Sequence, residues 1–262
     1  MKTSIERLQT TMAALRDPDS GCPWDLKQDH WSLIPYLLEE TYEVVDALEN
    51  GNDRELCEEL GDLLMQIVFH AQIAKEQNRF TFDDIAAAID AKLIHRHPHV
   101  FGDSTLQDEA ELDAAWEQSK AAEKPAKRDS SLLDGVIAAL PALMRAQKLQ
   151  RRAARVGFDW PDHQGPLAKI HEETREIETE LNHDSPDQQR LREEIGDLLF
   201  SVVNLARHFD IDAEDALRQA NNKFSQRFRA VEQCIAETGG NIHDANTEQM
   251  EQCWEKAKRR QA

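Results

Sequence analysis

Apolar residues recur with helical spacing in two distant segments of the chain. Residues 58–71, "EELGDLLMQIVFHA", place them three or four positions apart, as on one face of an α-helix. Residues 193–206, "EEIGDLLFSVVNLA", repeat this pattern position for position. The two stripes consist of Leu60, Leu63, Leu64, Ile67, Val68 and Ala71, and of Ile195, Leu198, Leu199, Val202, Val203 and Ala206. The spacing predicts two amphipathic helices with the same role in the fold.

Several other stretches repeat in the same order, which indicates an internal duplication. The pairs are "EETYE" at 39–43 with "EETRE" at 172–176, "DIAAAIDAKLIHR" at 84–96 with "DALRQANNKFSQR" at 215–227, and "AAWEQSK" at 114–120 with "QCWEKAK" at 252–258. A polar, proline-containing stretch between the copies is typical of a linker. We predict an all-α chain of two tandem-duplicated helical-bundle domains, residues 1–120 and 131–262, with a linker at 121–130.

Local signals predict where several helices begin. The two helices that carry "EETYE" and "EETRE" are expected to start near Ser32, with Pro35 in the first turn, and near Pro166. Thr81 and Asp212 are expected to act as N-caps of later helices, because their side-chain oxygens can accept hydrogen bonds from free backbone N–H groups.

Each copy carries two pairs of acids at helical spacing. Positions three apart on a helix share a face, so each pair can present two carboxylates together. The pairs are Glu40 with Glu43 and Glu59 with Asp62 in the first copy, and Glu173 with Glu176 and Glu194 with Asp197 in the second. If the two helices of a copy pack through their apolar stripes, four carboxylates converge, as in the metal sites of helical bundles. We expect at least one of these carboxyls to have a raised pKa without metal, because clustered acids repel one another.

The ligand type and the overall charge limit the chemistry. All-oxygen ligands without a histidine favour Mg²⁺ over zinc or a di-iron centre, with Mn²⁺ as a possible substitute. The chain has 31 Lys and Arg against 50 Asp and Glu, a formal net charge of −19, which argues against a nucleic-acid partner. A small phosphorylated substrate remains compatible if a cation mediates the contact.

Duplicated basic and aromatic residues are candidates for phosphate and base contacts. Lys223 and Arg227, one helical turn apart, have counterparts in Lys92 and Arg96. Lys169 precedes Glu173 by one turn and could reach the same cleft. Tryptophan and lysine also recur together, as Trp116 with Lys120 and Trp254 with Lys258. Such a tryptophan is commonly a core residue, but it could also lie against a nucleobase while the lysine binds phosphate.

The cysteines and the apolar runs bear on location. The four cysteines, Cys22, Cys57, Cys234 and Cys253, form no C-x-x-C pair, so we expect free thiols in a reducing compartment. No apolar run reaches the length of a membrane helix, and the N-terminus lacks a signal-peptide pattern. These features predict a cytoplasmic protein with no membrane partner.

A series of motifs spans nearly the whole chain in a fixed order: "GCPWD", "LLEETYEV", "ELGDLL", "RHPHVF", "LPALMRAQKLQ", "VGFDW", "EEIGDLLF" and "KFSQRF". In these motifs the chain resembles the MazG family of nucleoside triphosphate pyrophosphohydrolases, in its two-domain bacterial form. The resemblance implies the all-α fold of these enzymes, a homodimer, Mg²⁺ dependence and hydrolysis of nucleoside triphosphates to monophosphate and pyrophosphate. It also implies ribo- and deoxyribonucleotide substrates with broad base tolerance, and a role in nucleotide-pool control or the stress response.

The resemblance also assigns roles to residues of the second copy, which in two-domain members carries most of the activity. Glu173, Glu176, Glu194 and Asp197 would bind Mg²⁺, and Lys169, Lys223 and Arg227 would bind phosphates. Glu172 would line the site as a candidate general base, and Trp254 and Lys258 would close over the nucleotide. Glu40, Glu43, Glu59 and Asp62 would form a second, possibly inactive, metal set.

Three alternatives stay open on the sequence. The duplicated acids could belong to a regulatory module that binds metal or nucleotide without turnover. The chain could be an all-α hydrolase with a narrow choice of base. It could also be a helical interaction protein without catalysis, although the duplicated acid pairs count against that reading.

Overall fold

The predicted all-α class is confirmed, because every regular element in the described part of the chain is a helix. The computed structural model describes residues 2–102 and 131–261. The helices of the first stretch are α1 (Ser4–Leu15), α2 (Pro23–Lys27), α3 (Ile34–Asn50), α4 (Asp53–Glu76), α5 (Phe82–Arg96) and α6 (Pro98–Phe101). Those of the second stretch are α7 (Ala142–Ala154), α8 (Gln164–Leu181), α9 (Gln188–His208), α10 (Ala213–Glu237) and α11 (Thr247–Gln261).

The chain divides into two compact units, Met1–Ala126 and Lys127–Ala262. The domain limits drawn from the sequence stay a prediction, because the linker at 121–130 lies outside the described residues, as do Trp116 and Lys120. None of the helices described above is long and apolar enough to cross a membrane.

The predicted helix signals hold at both copies. Thr81 and Asp212 are the N-caps of α5 and α10, and each side chain accepts a hydrogen bond from the third residue after it. The acid-bearing helices begin at Ile34 and Gln164, each two residues from the predicted start. Local signals of this kind fix helix ends without help from distant residues.

The core of the first unit forms where α1, α3 and α4 come together. α3 ends at Gly51, whose φ of 67° suits a residue without a side chain, and Asn52 then caps α4. This tight connection lets α4 pack back along α3, while α1 packs on α4. The buried core residues are Met12, Leu33, Val68, Phe69 and Ile73.

Arg16 ties three segments of this unit together. Its guanidinium donates to the Glu76 carboxylate at 2.7 Å and to the carbonyl oxygens of Asp25 and Gln28. The Arg16 side chain is only 7% exposed. We expect Arg16→Met to lower the free energy of unfolding by about 2 kcal/mol at pH 7, because these partners lose their donors. Urea denaturation measures the loss.

The pH dependence of that loss provides its control. The Arg16 guanidinium holds the pKa of Glu76 below its usual value. A lowered carboxyl pKa stabilises the fold above the unfolded-state pKa, and the contribution disappears as the pH falls through the folded-state pKa. The difference between Arg16→Met and the wild type should therefore shrink in acid. A difference that stays constant from neutral pH into acid would contradict a role for this ion pair.

The second unit is arranged around α9. α8 packs along α9, α7 packs against both α9 and α10, and α11 lies along α10. Gln147 of α7 is buried and holds the connection between α9 and α10, since it donates to the Ile211 carbonyl and accepts from the Ala213 N–H at the start of α10. α9 therefore packs against α8 and also against α7.

The expectation of four free thiols is wrong for two of the cysteines. Cys234 of α10 and Cys253 of α11 form a disulfide, with their Cα atoms 5.9 Å apart. They meet because α11 packs along α10 around the buried residues Val231 and Ile235. Cys22 and Cys57 are free. Only Cys22 and Cys57 therefore still agree with the inference of a reducing compartment, which was based on four free thiols.

The apolar stripes are only partly buried within each unit. Val68 and Val203 are fully buried, as amphipathic helices predict. Other members of the same stripes are 37–51% exposed, and these are Leu60, Ile67, Ile195, Leu199 and Val202. Such a face is wider than its packing partners within the described part of each unit require.

Candidate active site

Three carboxylates of the second unit meet between α8 and α9. Glu173, Glu194 and Asp197 each place a carboxylate oxygen within 4.8 Å of the other two. Glu173 comes from α8, and the other two lie three positions apart on α9. They face each other because the two helices pack along their length. The arrangement is a small cluster of negative charge at one helix–helix seam.

Glu176 adds the fourth acid of the predicted set. Partial burial raises its pKa, and the neighbouring charges of Glu173 and Glu194 raise it further. The expected raised pKa in a clustered carboxyl is thus confirmed in the second unit. A carboxyl that resists ionisation among like charges is a position where a cation gains binding energy.

Lys169 is the cation that lies nearest this cluster among the described contacts. Its Nζ is 3.0 Å from Glu172 Oε1 and also forms an ion pair with Glu173, the most buried acid of the set at 2% exposed. The hydrogen bond to Glu173 and then that to Glu172 raise the pKa of Lys169. The lysine is half-exposed and stays charged, so it can exchange these partners for an incoming anion.

The first unit holds a similar acidic cluster in different surroundings. Glu40, Glu43 and Glu59 bring carboxylate oxygens within 4.8 Å of one another. Partial burial raises the pKa of Glu40, with Asp62 and Glu43 as further causes. The pKa of Glu59 is also raised, again chiefly by burial.

The first unit has a tyrosine at the position that corresponds to this lysine. Tyr36 stands four positions before Glu40, where Lys169 stands four before Glu173. The buried Gln66 contacts Glu40 instead. The two units therefore share their acids but differ in the group that compensates the charge of the most buried one.

Both clusters fit a hard divalent cation. Carboxylate oxygens this close together can replace water around Mg²⁺ or Mn²⁺, and such ions commonly complete their shell with water and phosphate. The described residues offer no histidine or thiolate to either cluster, which disfavours softer metals.

The acids of the second unit should destabilise the metal-free protein at neutral pH. A raised carboxyl pKa stabilises the fold below the unfolded-state pKa, and that contribution is lost as the pH rises through the folded-state pKa. We therefore expect Glu176→Gln to raise the melting temperature in EDTA at pH 7.5, to change little near pH 4, and to weaken the stabilisation by Mg²⁺. Differential scanning fluorimetry measures all three.

Glu178→Gln, on the exposed face of the same helix, is the matched control for that measurement. It should leave the melting temperature and the Mg²⁺ effect near those of the wild type. A lower melting temperature for Glu176→Gln than for the wild type in EDTA would show that the carboxylates do not repel one another in this way.

The remaining predicted nucleotide contacts lie on α10 and α11. Lys223 is exposed, and Arg227 is close enough to Glu255 to influence its pKa. Trp254 packs against Phe224 with ring centroids 5.4 Å apart, and Lys258 donates to Glu255 at 2.7 Å. The structure thus groups these residues with one another, while Lys169 and Glu172 stand at the acids. Their predicted role in nucleotide binding stays a prediction.

A cavity of about 510 Å³ opens beside the acids of the second unit and was not predicted from the sequence. Its walls include the acids Glu173 and Asp197 together with Trp160, Asn204 and Arg207. The only sequence signal was the motif "VGFDW", which carries the tryptophan. Asn204 and Arg207 lie on α9. The repeat indicates only the residues that both copies share, so it gave no signal for these two positions.

Comparisons with known proteins agree with this geometry. The family model described as "MazG nucleotide pyrophosphohydrolase domain" matches residues 28–101 and 162–231, once in each copy. The chain is 50% identical over 257 residues to the nucleoside triphosphate pyrophosphohydrolase of Escherichia coli strain K12, covering 98% of each chain. It is 46% identical over 254 residues to the nucleoside triphosphate pyrophosphohydrolase/pyrophosphatase MazG of Thermotoga maritima, covering 97% of this chain and 95% of that one.

Proposed function

Because the chain belongs to the MazG nucleotide pyrophosphohydrolase family, we propose that it hydrolyses nucleoside triphosphates to nucleoside monophosphate and pyrophosphate in its second unit. The observation that carries this proposal is the meeting of Glu173, Glu194 and Asp197 beside Lys169, next to a cavity. The activity named for the relatives of similar length supports it.

We propose Mg²⁺ as the cofactor, with Mn²⁺ able to replace it. Glu173, Glu176, Glu194 and Asp197 would hold it, and the pKa of Glu176, raised by burial and then by the charges of Glu173 and Glu194, is in keeping with a site for a cation. When bound, the cation supplies charge neutralisation for the triphosphate and the leaving pyrophosphate. The acidic cluster alone would repel a triphosphate. The bound cation would offset the charge of the acids and so allow the anionic substrate to bind beside them.

Lys169 and Glu172 would then act on the substrate and on the attacking water. Lys169 leaves Glu173 and donates to a phosphate oxygen, a charge-assisted contact. Water attacks the α-phosphorus, a new P–O bond forms as the bond to the bridging oxygen breaks, and pyrophosphate departs with that electron pair. Glu172, whose carboxylate lies beside Lys169, takes the proton of the attacking water.

Further parts of the proposal extend from the family to this chain. Lys223, Arg227, Trp254 and Lys258 would bind phosphates and cover the nucleotide, and the substrates would include ribo- and deoxyribonucleotides with broad base tolerance. A homodimer would bury the exposed apolar stripe on α9, formed by Ile195, Leu199 and Val202. The role would be nucleotide-pool control or the stress response in the cytoplasm.

A second candidate function concerns the first unit alone. Its acids are close enough to bind a cation, but Tyr36 replaces the lysine beside them. This favours metal binding without turnover in that unit, which is the regulatory alternative left open by the sequence.

Product analysis tests the proposed reaction directly. The intact chain is incubated with Mg²⁺ and a panel of ribo- and deoxyribonucleoside triphosphates, and the products are separated by anion-exchange chromatography. Monophosphate and pyrophosphate in equal amounts support the proposal. Diphosphate with orthophosphate would indicate attack at the γ-phosphorus, and nucleotide binding without product would leave a regulatory module.

A further inference from the structure

The disulfide between Cys234 and Cys253 attaches α11, a helix with few apolar residues of its own, to α10. Most residues of the segment 247–261 are charged or polar. The apolar residues of α11 form one narrow stripe at helical spacing, which consists of Met250, Cys253, Trp254 and Ala257. A helix of this length is only marginally stable in water on its own, so α11 depends on what attaches it to α10.

The packing that joins α11 to α10 is small, and the disulfide is part of it. Val231 and Ile235 of α10 are buried in this cluster, and so is Cys253 of α11. The two cysteines are 19 positions apart in the sequence. A cross-link between them restricts the freedom that the segment gains when it is released, so the bond favours the packed position of α11.

A cavity of about 310 Å³ lies beside this disulfide. Cys253, which is 7% exposed, lines it together with the polar residues Thr238, Asn241 and Lys256. Cys234 is itself only partly buried. Exchange between a thiol and a disulfide requires a thiolate to reach one of the sulfur atoms, so access limits its rate. The position of this pair therefore allows a small polar thiol to reach it.

α11 carries two of the proposed nucleotide contacts close to the disulfide. Trp254 directly follows Cys253, and its ring packs against Phe224 of α10 with centroids 5.4 Å apart. Lys258 follows one turn later on the same helix. The position of α11 on α10 therefore sets where Trp254 and Lys258 stand relative to Lys223, the residue before Phe224.

The cysteine pair belongs to the second copy of the repeat. In the matching stretches "AAWEQSK" and "QCWEKAK", Ala115 corresponds to Cys253. The other two cysteines, Cys22 and Cys57, lie in the first unit and are free. The disulfide is therefore a feature of one copy and not of the repeated architecture.

We propose that Cys234 and Cys253 form a thiol–disulfide switch, in which a small dithiol opens the bond, α11 loosens from α10 and nucleotide binding weakens. In a reducing compartment, a disulfide of this kind is transient and senses the redox state. The weaker nucleotide binding rests on the proposed function, whereas the loosening of α11 does not depend on it.

The chemistry of the switch is a two-electron exchange between two disulfides. A thiolate of the dithiol attacks one sulfur, the S–S bond breaks, and its electron pair leaves on the other cysteine, which takes up the proton that the dithiol lost. The second thiolate of the dithiol then attacks the mixed disulfide and releases the remaining cysteine, which is protonated in the same way. The dithiol is oxidised to its disulfide, and Cys234 and Cys253 are reduced to thiols.

Hydrogen exchange of the intact chain, followed by mass spectrometry, tests the loosening of α11. The probe is dithiothreitol, which is removed by gel filtration under argon before the measurement. We expect the amides of residues 247–261 to exchange at least about tenfold faster in the reduced chain, while those of α8 and α9 stay unchanged. Equal exchange in the two forms, with both thiols of the pair identified by alkylation, would overturn the proposal.

Equilibrium binding of a substrate analogue tests the effect on the nucleotide without turnover. α,β-Methylene-ATP with Mn²⁺ is titrated into the oxidised and the reduced chain by calorimetry, and Mn²⁺ binding alone is measured by electron paramagnetic resonance. Reduction should weaken analogue binding at least about tenfold. It should leave Mn²⁺ affinity unchanged, because the acids lie on α8 and α9. Equal analogue affinity in the two forms would overturn the proposal.

Two pairs of serine variants assign the response to the disulfide. Cys234→Ser with Cys253→Ser lacks the bond and should behave like the reduced chain with or without dithiothreitol. Cys22→Ser with Cys57→Ser removes the two free thiols, so it is the matched control and should keep the full response. A response that disappears in this control would overturn the assignment. The comparison of the oxidised with the reduced wild type decides the matter even if the first variant folds poorly.

The outcomes also separate the switch from the proposed reaction. Faster exchange of α11 and weaker analogue binding on reduction, in a chain that forms no pyrophosphate, would support the switch and remove the reaction. Pyrophosphate formation with the same Michaelis constant in both forms would keep the reaction and remove the switch. No analogue binding by the oxidised chain would overturn the switch as well.

Discussion

Glu176→Ala combined with Asp197→Ala is expected to reduce pyrophosphate formation by at least about 10³-fold, because two of four ligands for the proposed cation disappear. Both residues are exposed at the edge of the seam, so their removal leaves the packing of α8 on α9 in place. The measurement is the rate of monophosphate and pyrophosphate formation from a triphosphate with saturating Mg²⁺.

The duplication supplies a matched variant for this experiment. Glu43→Ala with Asp62→Ala removes the corresponding acids of the first unit. We expect that variant to retain most of the turnover, because the first unit has Tyr36 where the second has the lysine beside its acids. Each variant should lose one of two Mn²⁺ sites counted by electron paramagnetic resonance.

The opposite result has a clear meaning. Turnover that survives in the Glu176/Asp197 variant and disappears in the Glu43/Asp62 variant would move catalysis to the first unit. Loss in both would mean that the two acidic clusters cooperate. Either result would contradict the assignment of the reaction to the seam beside Lys169.

Much of this site could be predicted from the sequence because its signals are local. Acids three apart on a helix must share a face, and a lysine one turn before Glu173 must lie near it. The same applies to Thr81 and Asp212, whose capping bonds span three residues. Duplication strengthened the signals of the acid pairs and the caps, since an accidental spacing would not recur in the same order.

The features that were missed depend on contacts between distant residues. Asp159 and Arg207 are separated by the whole of α8, and nothing in their local sequence indicates the bidentate ion pair that they form. Cys234 and Cys253 lie on different helices, so their pairing follows from how α11 packs on α10. The exposed half of the apolar stripes likewise appears only when the burial of each residue is known.

Lys169→Met should slow turnover by about 10²-fold and yet tighten the binding of Mn²⁺ by about tenfold. The lysine forms an ion pair with Glu173, so a cation that binds the cluster must compete with its charge. Two unit charges about 4 Å apart interact by roughly 4 kcal/mol at an effective dielectric constant of 20, and partial exposure of the lysine reduces this. About 1.4 kcal/mol of the remainder is enough for a tenfold change.

Turnover is expected to fall in Lys169→Met, although Mn²⁺ binds more tightly, because the phosphate of the substrate loses the lysine as a hydrogen-bond donor. The methionine keeps the length of the side chain but cannot donate to a phosphate oxygen, so the transition state loses a charge-assisted contact. Lys148→Met, an exposed lysine on α7, is the control and should change neither quantity. Mn²⁺ affinity that falls together with turnover would show that Lys169 organises the carboxylates. Affinity that rises while turnover falls would show that the lysine acts on the substrate.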